Sequence, residues 1–153
     1  MEIVRIKDIN VLMELRFAFL SEMVSIPEKE WKSLACYFRK YCEKHISLDD
    51  FVALGVSLEG EIVSCAFLLV EERPASPAFP NGCTGNVLNV YTYPQHQRKG
   101  YGKAVMEAII KESKERNLSV LTLSATEAGK RLYEKLGFTV PGYTEMKLKI
   151  ERE

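Results

Sequence analysis

YPQHQRKGYGKAV, residues 93–105, opens on a proline turn, runs through two basic residues and two glycines one residue apart, and ends with helical composition. Just before it, NVLNVYT (86–92) alternates as a strand does. Just after it, Tyr101, Ala104, Val105, Ala108 and Ile109 recur at three- and four-residue spacing, as on one helix face. The chain therefore passes from strand to helix through glycine. The first-turn N–H groups of such a helix lack intrahelical partners, and its dipole adds positive potential, so an anion is a natural guest. Arg98 and Lys99 add charge, and a side chain at Gly100 or Gly102 would hold an anion off the backbone. The glycines alone leave a plain tight turn equally open.

Working outward, EIVRI (2–6) alternates and reads as a first strand. Asp8 caps a helix whose apolar stripe is Ile9, Leu12, Met13, Phe17, Leu20 and Val24. Ser25 as cap and Pro27 in the first turn start a second helix, with Trp31, Leu34, Phe38, Tyr41 and His45 on one face. Lys32, Arg39, Lys40 and Glu43 occupy its other face. Residues 50–72 change period, and two β-rich runs flank Glu59-Gly60, a hairpin signal. RPASPAFPNGCTG (73–85), with Pro74, Pro77 and Pro80, reads as an irregular connection. LSVLTLS (118–124) is almost continuously apolar, as a buried central strand would be. TEAGKRLYEKLGF (126–138) reads as a helix ending at a left-handed Gly137, and YTEMKLKI (143–150) alternates as a closing strand. The expected order is β-α-α-β-β-β-α-β-α-β in one α/β domain over residues 1–153, with a mixed sheet flanked by helices.

Composition narrows the function. Lys plus Arg and Asp plus Glu number 21 each, without the basic excess usual in a nucleic-acid binder. Cys36, Cys42, Cys65 and Cys83 form no C-x-x-C pair and there are two histidines, so no metal site is expected. No apolar run approaches the length of a membrane span, and MEIVRIKD lacks a signal-peptide layout; a cytoplasmic protein is expected.

Two familiar phosphate binders fail on single residues. A P-loop needs Ser or Thr after Gly-Lys, but Ala104 follows Gly102-Lys103. A dinucleotide fingerprint needs a third small residue where Val105 stands. What the chain resembles is the GCN5-related N-acetyltransferase (GNAT) family. Its phosphate loop, Gln/Arg-x-x-Gly-x-Gly/Ala, is met by Gln97-Arg98-Lys99-Gly100-Tyr101-Gly102, after a turn Thr92-Tyr93-Pro94 like the family's V-x-P. A second family motif, LYEKLGF, stands at residues 132–138. The resemblance covers nearly the whole chain, its specific part being residues 87–138.

The resemblance implies a mostly antiparallel twisted sheet and direct transfer of the acetyl group of acetyl-CoA to an amine. Carried over by position, Val90, Tyr91 and Thr92 would pair with the pantetheine arm as an added strand would. A backbone N–H near that strand's end would polarise the thioester carbonyl. The amides of Gln97, Arg98, Lys99, Gly100, Tyr101, Gly102 and Lys103 would hold the pyrophosphate. Tyr133 takes the family's general-acid position toward the departing thiolate. Ordinary pKa values of about 10 for tyrosine and about 8.5 for a thiol make stabilisation by hydrogen bonding as reasonable as full protonation.

Two departures stand out. Thr126 replaces the frequent pantetheine-binding asparagine, with a hydroxyl as partial substitute. No carboxylate lies on residues 86–92, where a base is often supplied; Glu71, Glu72 and His96 are the substitutes to consider. The acceptor is expected to be a small amine bound between the two amino-terminal helices and the connection near 74–85. Arg16, breaking the stripe between Met13 and Phe17, could pair with an acceptor carboxylate, although a structural ion pair is the commoner use of such an arginine. No nucleic-acid or membrane partner is expected. Dimers are common in the family, so a homodimer is among the expectations. The alternative from another class is a non-catalytic acyl-CoA binding or sensing module.

Overall fold

The computed structural model describes residues 1–152. Its elements are β1 (Glu2–Arg5), α1 (Ile9–Met23), α2 (Glu28–Ser47), β2 (Phe51–Leu58), β3 (Glu61–Glu72), β4 (Cys83–Thr92), α3 (Tyr101–Glu115), β5 (Val120–Leu123) and α4 (Glu127–Lys135). Among the described residues the sheet has five strands in the order β1-β2-β3-β4-β5. All neighbours are antiparallel except β4 and β5, which the α3 crossover makes parallel.

Local chemistry accounts for most boundaries. The Asp8 carboxylate accepts from the N–H groups of Asn10 and Val11 and starts α1. Glu59 and Gly60 both have positive φ, +50° and +88°, which is what a two-residue hairpin with the twist of its strands requires. The apolar faces of the sheet bury two cores. Val52, Leu54, Val56, Ala66, Leu68 and Val87 pack with Val105, Met106 and Ile109 of α3, while Phe51, Ala53, Cys65, Phe67 and Tyr91 pack with Leu12, Leu15 and Cys42 of α1 and α2.

Several sequence expectations need correction. Pro27 itself caps α2 without a side-chain hydrogen bond, and Ser25 lies outside the helix. The buried face of α1 is centred on Leu12 and Leu15; Phe17 and Val24 are exposed, as are Leu34 and Tyr37 of α2. The irregular connection ends earlier than expected because β4 already starts at Cys83. β5 is an edge strand, not a central one, and its apolar residues are only half buried. The closing strand is not formed: residues 143–150 join no ladder, and Tyr143, Met146, Leu148 and Ile150 are exposed. Alternation makes that segment able to form a strand, but a strand also needs a paired edge and a covered face.

An ion-pair network ties the first strand to the end of α3. Glu112 accepts from Arg5 Nη2 and Arg116 Nε, both at 2.7 Å, and Arg116 Nη2 reaches Asp49 at 3.0 Å. Burial opposes the charge on Glu112, but the hydrogen bonds from Arg116 and Arg5 outweigh it and hold the carboxyl below the usual glutamate value. A carboxyl depressed in the folded state contributes stability above its unfolded pKa of about 4.3, lost as pH falls through the folded value. We expect Glu112→Gln to cost about 1–2 kcal/mol at neutral pH. It should also flatten the fall in stability below about pH 4.3; urea titrations at several pH values check both.

Candidate active site

The site begins where β4 loses a neighbour. β4 pairs with β5 only from Thr84–Val120 to Val87–Leu123. From Leu88 to Thr92 its β5-side edge has no strand beside it among the described residues, an open length of roughly 16 Å. On the other edge a bulge interrupts pairing with β3: Leu88 pairs with Phe67 and Tyr91 with Cys65, so Asn89 and Val90 oppose the single Ala66. Asn89 has a left-handed φ of +53°. The bulge breaks the alternation of side chains, so that Leu88 and Asn89 both turn toward α1 and α2 while Val90 faces α3.

Asn89 is fully buried and well tied. Its Nδ2 donates to the Leu15 carbonyl at 3.3 Å, its Oδ1 accepts from Arg16 Nη1 at 3.2 Å, and its own carbonyl faces Cys65 Sγ. Tyr91, next but one along, has its hydroxyl pKa pushed up to about 12 by burial and then by the nearby Glu22 carboxylate. At the strand end, Thr92 Oγ1 lies 2.8 Å from Ser64 Oγ, and Gln97 Nε2 donates to the Thr92 carbonyl at 3.1 Å. Gln97 therefore fastens the glycine loop to β4. Lys99 Nζ is similarly committed to the Gln95 carbonyl.

The loop itself has alternating handedness. Arg98 and Gly100 have φ of +61° and +86°, and Gly100 caps α3 with no side-chain hydrogen bond. Such alternation turns successive N–H groups into a concavity suited to an anion, and the first-turn donors of α3 add to it. A Cβ at Gly100 would meet nothing within 4 Å, so its demand is for the left-handed backbone. A Cβ at Gly102 would stand between Thr92 Oγ1 and Leu132 Cδ2, at 3.7 and 3.8 Å, in the gap between β4 and α4.

Beside the loop is a cavity of about 560 Å³ lined by Arg98, Lys103, Ala128, Arg131, Leu132, Lys135 and Leu136. Four of these are cationic and none is acidic. Sequence reading found Arg98 and Lys103 but missed Arg131 and Lys135; their i, i+4 spacing on α4 was the available signal.

Tyr133 projects from α4 into the core side of this region. It is half-buried, packs edge-on against Phe138 at 6.0 Å between centroids, and runs alongside Gly129. Burial pushes its hydroxyl above the ordinary phenol value, so it stays protonated and able to donate. Thr126 caps α4, its Oγ1 accepting from the Gly129 N–H at 3.2 Å, which leaves its O–H free to donate. The three substitute bases are not gathered with these groups. Glu71 and Glu72 pair with Thr84 and Cys83, five and six residues back along β4 from Asn89. His96 lies in the turn before the loop against Tyr101, with Nδ1 buried and unpartnered among the described residues.

The site is thus a parallel pair of strands that part beside a bulge, with a glycine loop and a cationic cavity at the mouth of the gap. A family model described as the acetyltransferase (GNAT) domain matches residues 49–140, more than half of the chain, and the chain belongs to that family. No protein of curated function matches it in sequence. Its fold is shared with a GCN5-related N-acetyltransferase from Ralstonia eutropha, at 23% identity and a TM-score of 0.83 over 96% of this chain and 97% of that one. It is likewise similar to a predicted acetyltransferase from Clostridium acetobutylicum solved with acetyl-CoA, at 21% identity, TM-score 0.84 and 95% of each chain. Glucosamine-6-phosphate N-acetyltransferase from Arabidopsis thaliana is more distant in shape, at 20% identity and TM-score 0.69 over 96% and 97% of the two chains. No helix among the described residues is long and apolar enough to cross a membrane.

Proposed function

We propose that the chain is an acetyl-CoA-dependent N-acetyltransferase acting directly on a small amine. The observation that carries this reading is the open edge of β4 over residues 88–92, ending at the glycine loop. The fit to acetyl-CoA rests on the residues present. The edge at Val90 to Thr92 has the length and hydrogen-bonding groups for a pantetheine arm. The amides from Gln97 to Lys103 suit a pyrophosphate, and Arg131 and Lys135 extend the positive surface for further phosphate.

Acetyl-CoA, when bound, supplies an activated thioester. The chain's own residues do the rest. At the bulge Asn89 and Val90 have no β5 partner beside them, and a preorganised N–H on that edge aimed at the carbonyl oxygen would stabilise the charge that develops on it. The Tyr133 hydroxyl, neutral at physiological pH, donates toward the departing sulfur. With its pKa raised, complete proton transfer to a thiolate is less favourable than for a free tyrosine, so hydrogen bonding is its main contribution. A base is not required if the amine arrives deprotonated.

The test couples calorimetric acetyl-CoA binding to release of free CoA thiol across a broad amine panel. Acceptor-dependent release establishes the enzyme. Binding without release over the whole panel favours the sensing module, and no binding overturns both.

A further inference from the structure

We propose that Arg16 is the acceptor's anchor, and that the amine acetylated carries a carboxylate which docks on its guanidinium. This inference rests on the acetyltransferase reading above and specifies the substrate class of the same site. The sequence offered two uses for Arg16, and the commoner one, a structural ion pair, is not made. Among the described residues no carboxylate lies within ion-pair distance of it; its one side-chain hydrogen bond is the 3.2 Å contact to the neutral Asn89 amide.

Helix geometry explains the isolation. The residues three and four positions away, Leu12, Met13, Phe19 and Leu20, are all apolar. Glu14, two residues back, is exposed and its charge acts on Tyr93, and Glu22 stands by the Tyr91 hydroxyl; neither pairs with Arg16. Arg16 is thus a half-buried cation on the face of α1 that packs on the sheet.

A guanidinium carries five N–H donors in a planar fork matched to a carboxylate. One is spent on Asn89. None of the others is both sealed from solvent and unpartnered, so they are open to an incoming group. Asn89 is the bulge residue, at the point along β4 where the thioester is proposed to lie, so an anion on Arg16 sits beside the reacting carbonyl. Asn89 also holds Arg16 in place, since its Nδ2 is fixed on the Leu15 carbonyl. A cation left half-buried and unpaired costs free energy, which a substrate carboxylate recovers on binding.

The experiment uses matched acceptors: free amino acids, their carboxamides, and the decarboxylated amines. On the unaltered protein, kcat/KM for the carboxylate member should exceed that for its carboxamide by roughly 10²-fold. In Arg16→Gln that ratio should collapse to about 1, and Arg16→Lys, a point charge without the fork, should restore only part of it. Calorimetry with CoA present should show carboxylated amine binding that Arg16→Gln abolishes. Transfer that ignores the carboxylate, or an equal loss for all three acceptor types in Arg16→Gln, overturns the anchor while leaving the acetyltransferase reading intact. Failure to bind acetyl-CoA at all overturns both. The comparison of acceptors on the unaltered protein decides the matter even if the variants fold poorly.

Discussion

Tyr133→Phe is expected to slow acetyl transfer by roughly 10²–10³-fold in kcat, the loss of one hydrogen-bond donor to developing charge, while leaving acetyl-CoA affinity and thermal stability little changed. Phenylalanine keeps the packing against Phe138 and Gly129. Only the hydroxyl is lost, and it makes no hydrogen bond within the protein among the described residues, so the fold has nothing to surrender. An interaction made in the transition state and not in the ground state lowers kcat without moving affinity. The pH dependence has a definite sign. In the proposed mechanism the protonated hydroxyl is the active form, and burial raises its pKa above the ordinary phenol value of about 10. Tyrosine ionisation should therefore cause no loss of rate below about pH 10. Stopped-flow or thiol-release kinetics from pH 6 to about 10, with acetyl-CoA calorimetry, give the measurement. Unchanged kcat in the variant would remove Tyr133 from the mechanism.

Gly102→Leu should weaken acetyl-CoA binding by about 10²-fold or more, the loss of two charge-assisted hydrogen bonds. The side chain would enter the gap between Thr92 and Leu132, where the proposed acetyl-CoA would pass from loop to strand. Gly102 has no left-handed backbone, and a Cβ there meets only ordinary contacts. Gly102→Ala should then stabilise the free protein by up to about 1 kcal/mol, since alanine is the better helix former. The alanine variant should gain stability and keep its affinity while the leucine variant loses affinity, which separates a small residue kept for a ligand from one kept for the fold. Thermal melts and calorimetry on the two variants check this. Parallel loss of both quantities would assign Gly102 a structural role.

Much of this architecture was legible because its signals are local. Asp8 caps its helix through two backbone N–H groups that lie two and three residues away. The Glu59-Gly60 turn and the left-handed Gly137 need only their own dihedral angles. The glycine loop was readable for the same reason: its donors and glycines are consecutive. What failed was pattern without context. LSVLTLS has the composition of a buried strand, yet β5 stands at the sheet edge, because position in a sheet depends on which strands come to lie beside it. YTEMKLKI alternates as well as any strand in the chain, and remains unpaired. Phe17 and Leu34 follow helical spacing but are exposed, because each helix meets the sheet along a narrower line than its apolar residues suggest.

The sequence by itself determined that strand, glycine turn and helix follow one another at residues 86–115, and that Tyr133 lies in a family motif. These are properties of neighbours along the chain. Only the tertiary structure decided that β4 parts from β5 after Val87, that a bulge turns Asn89 toward α1, and that Arg131 and Lys135 share a cavity with Arg98. It also decided that Arg16 meets the Asn89 amide and, among the described residues, no carboxylate. Each of those facts depends on groups tens of residues apart meeting in space, and side-chain periodicity within one element carries no record of what lies across from it.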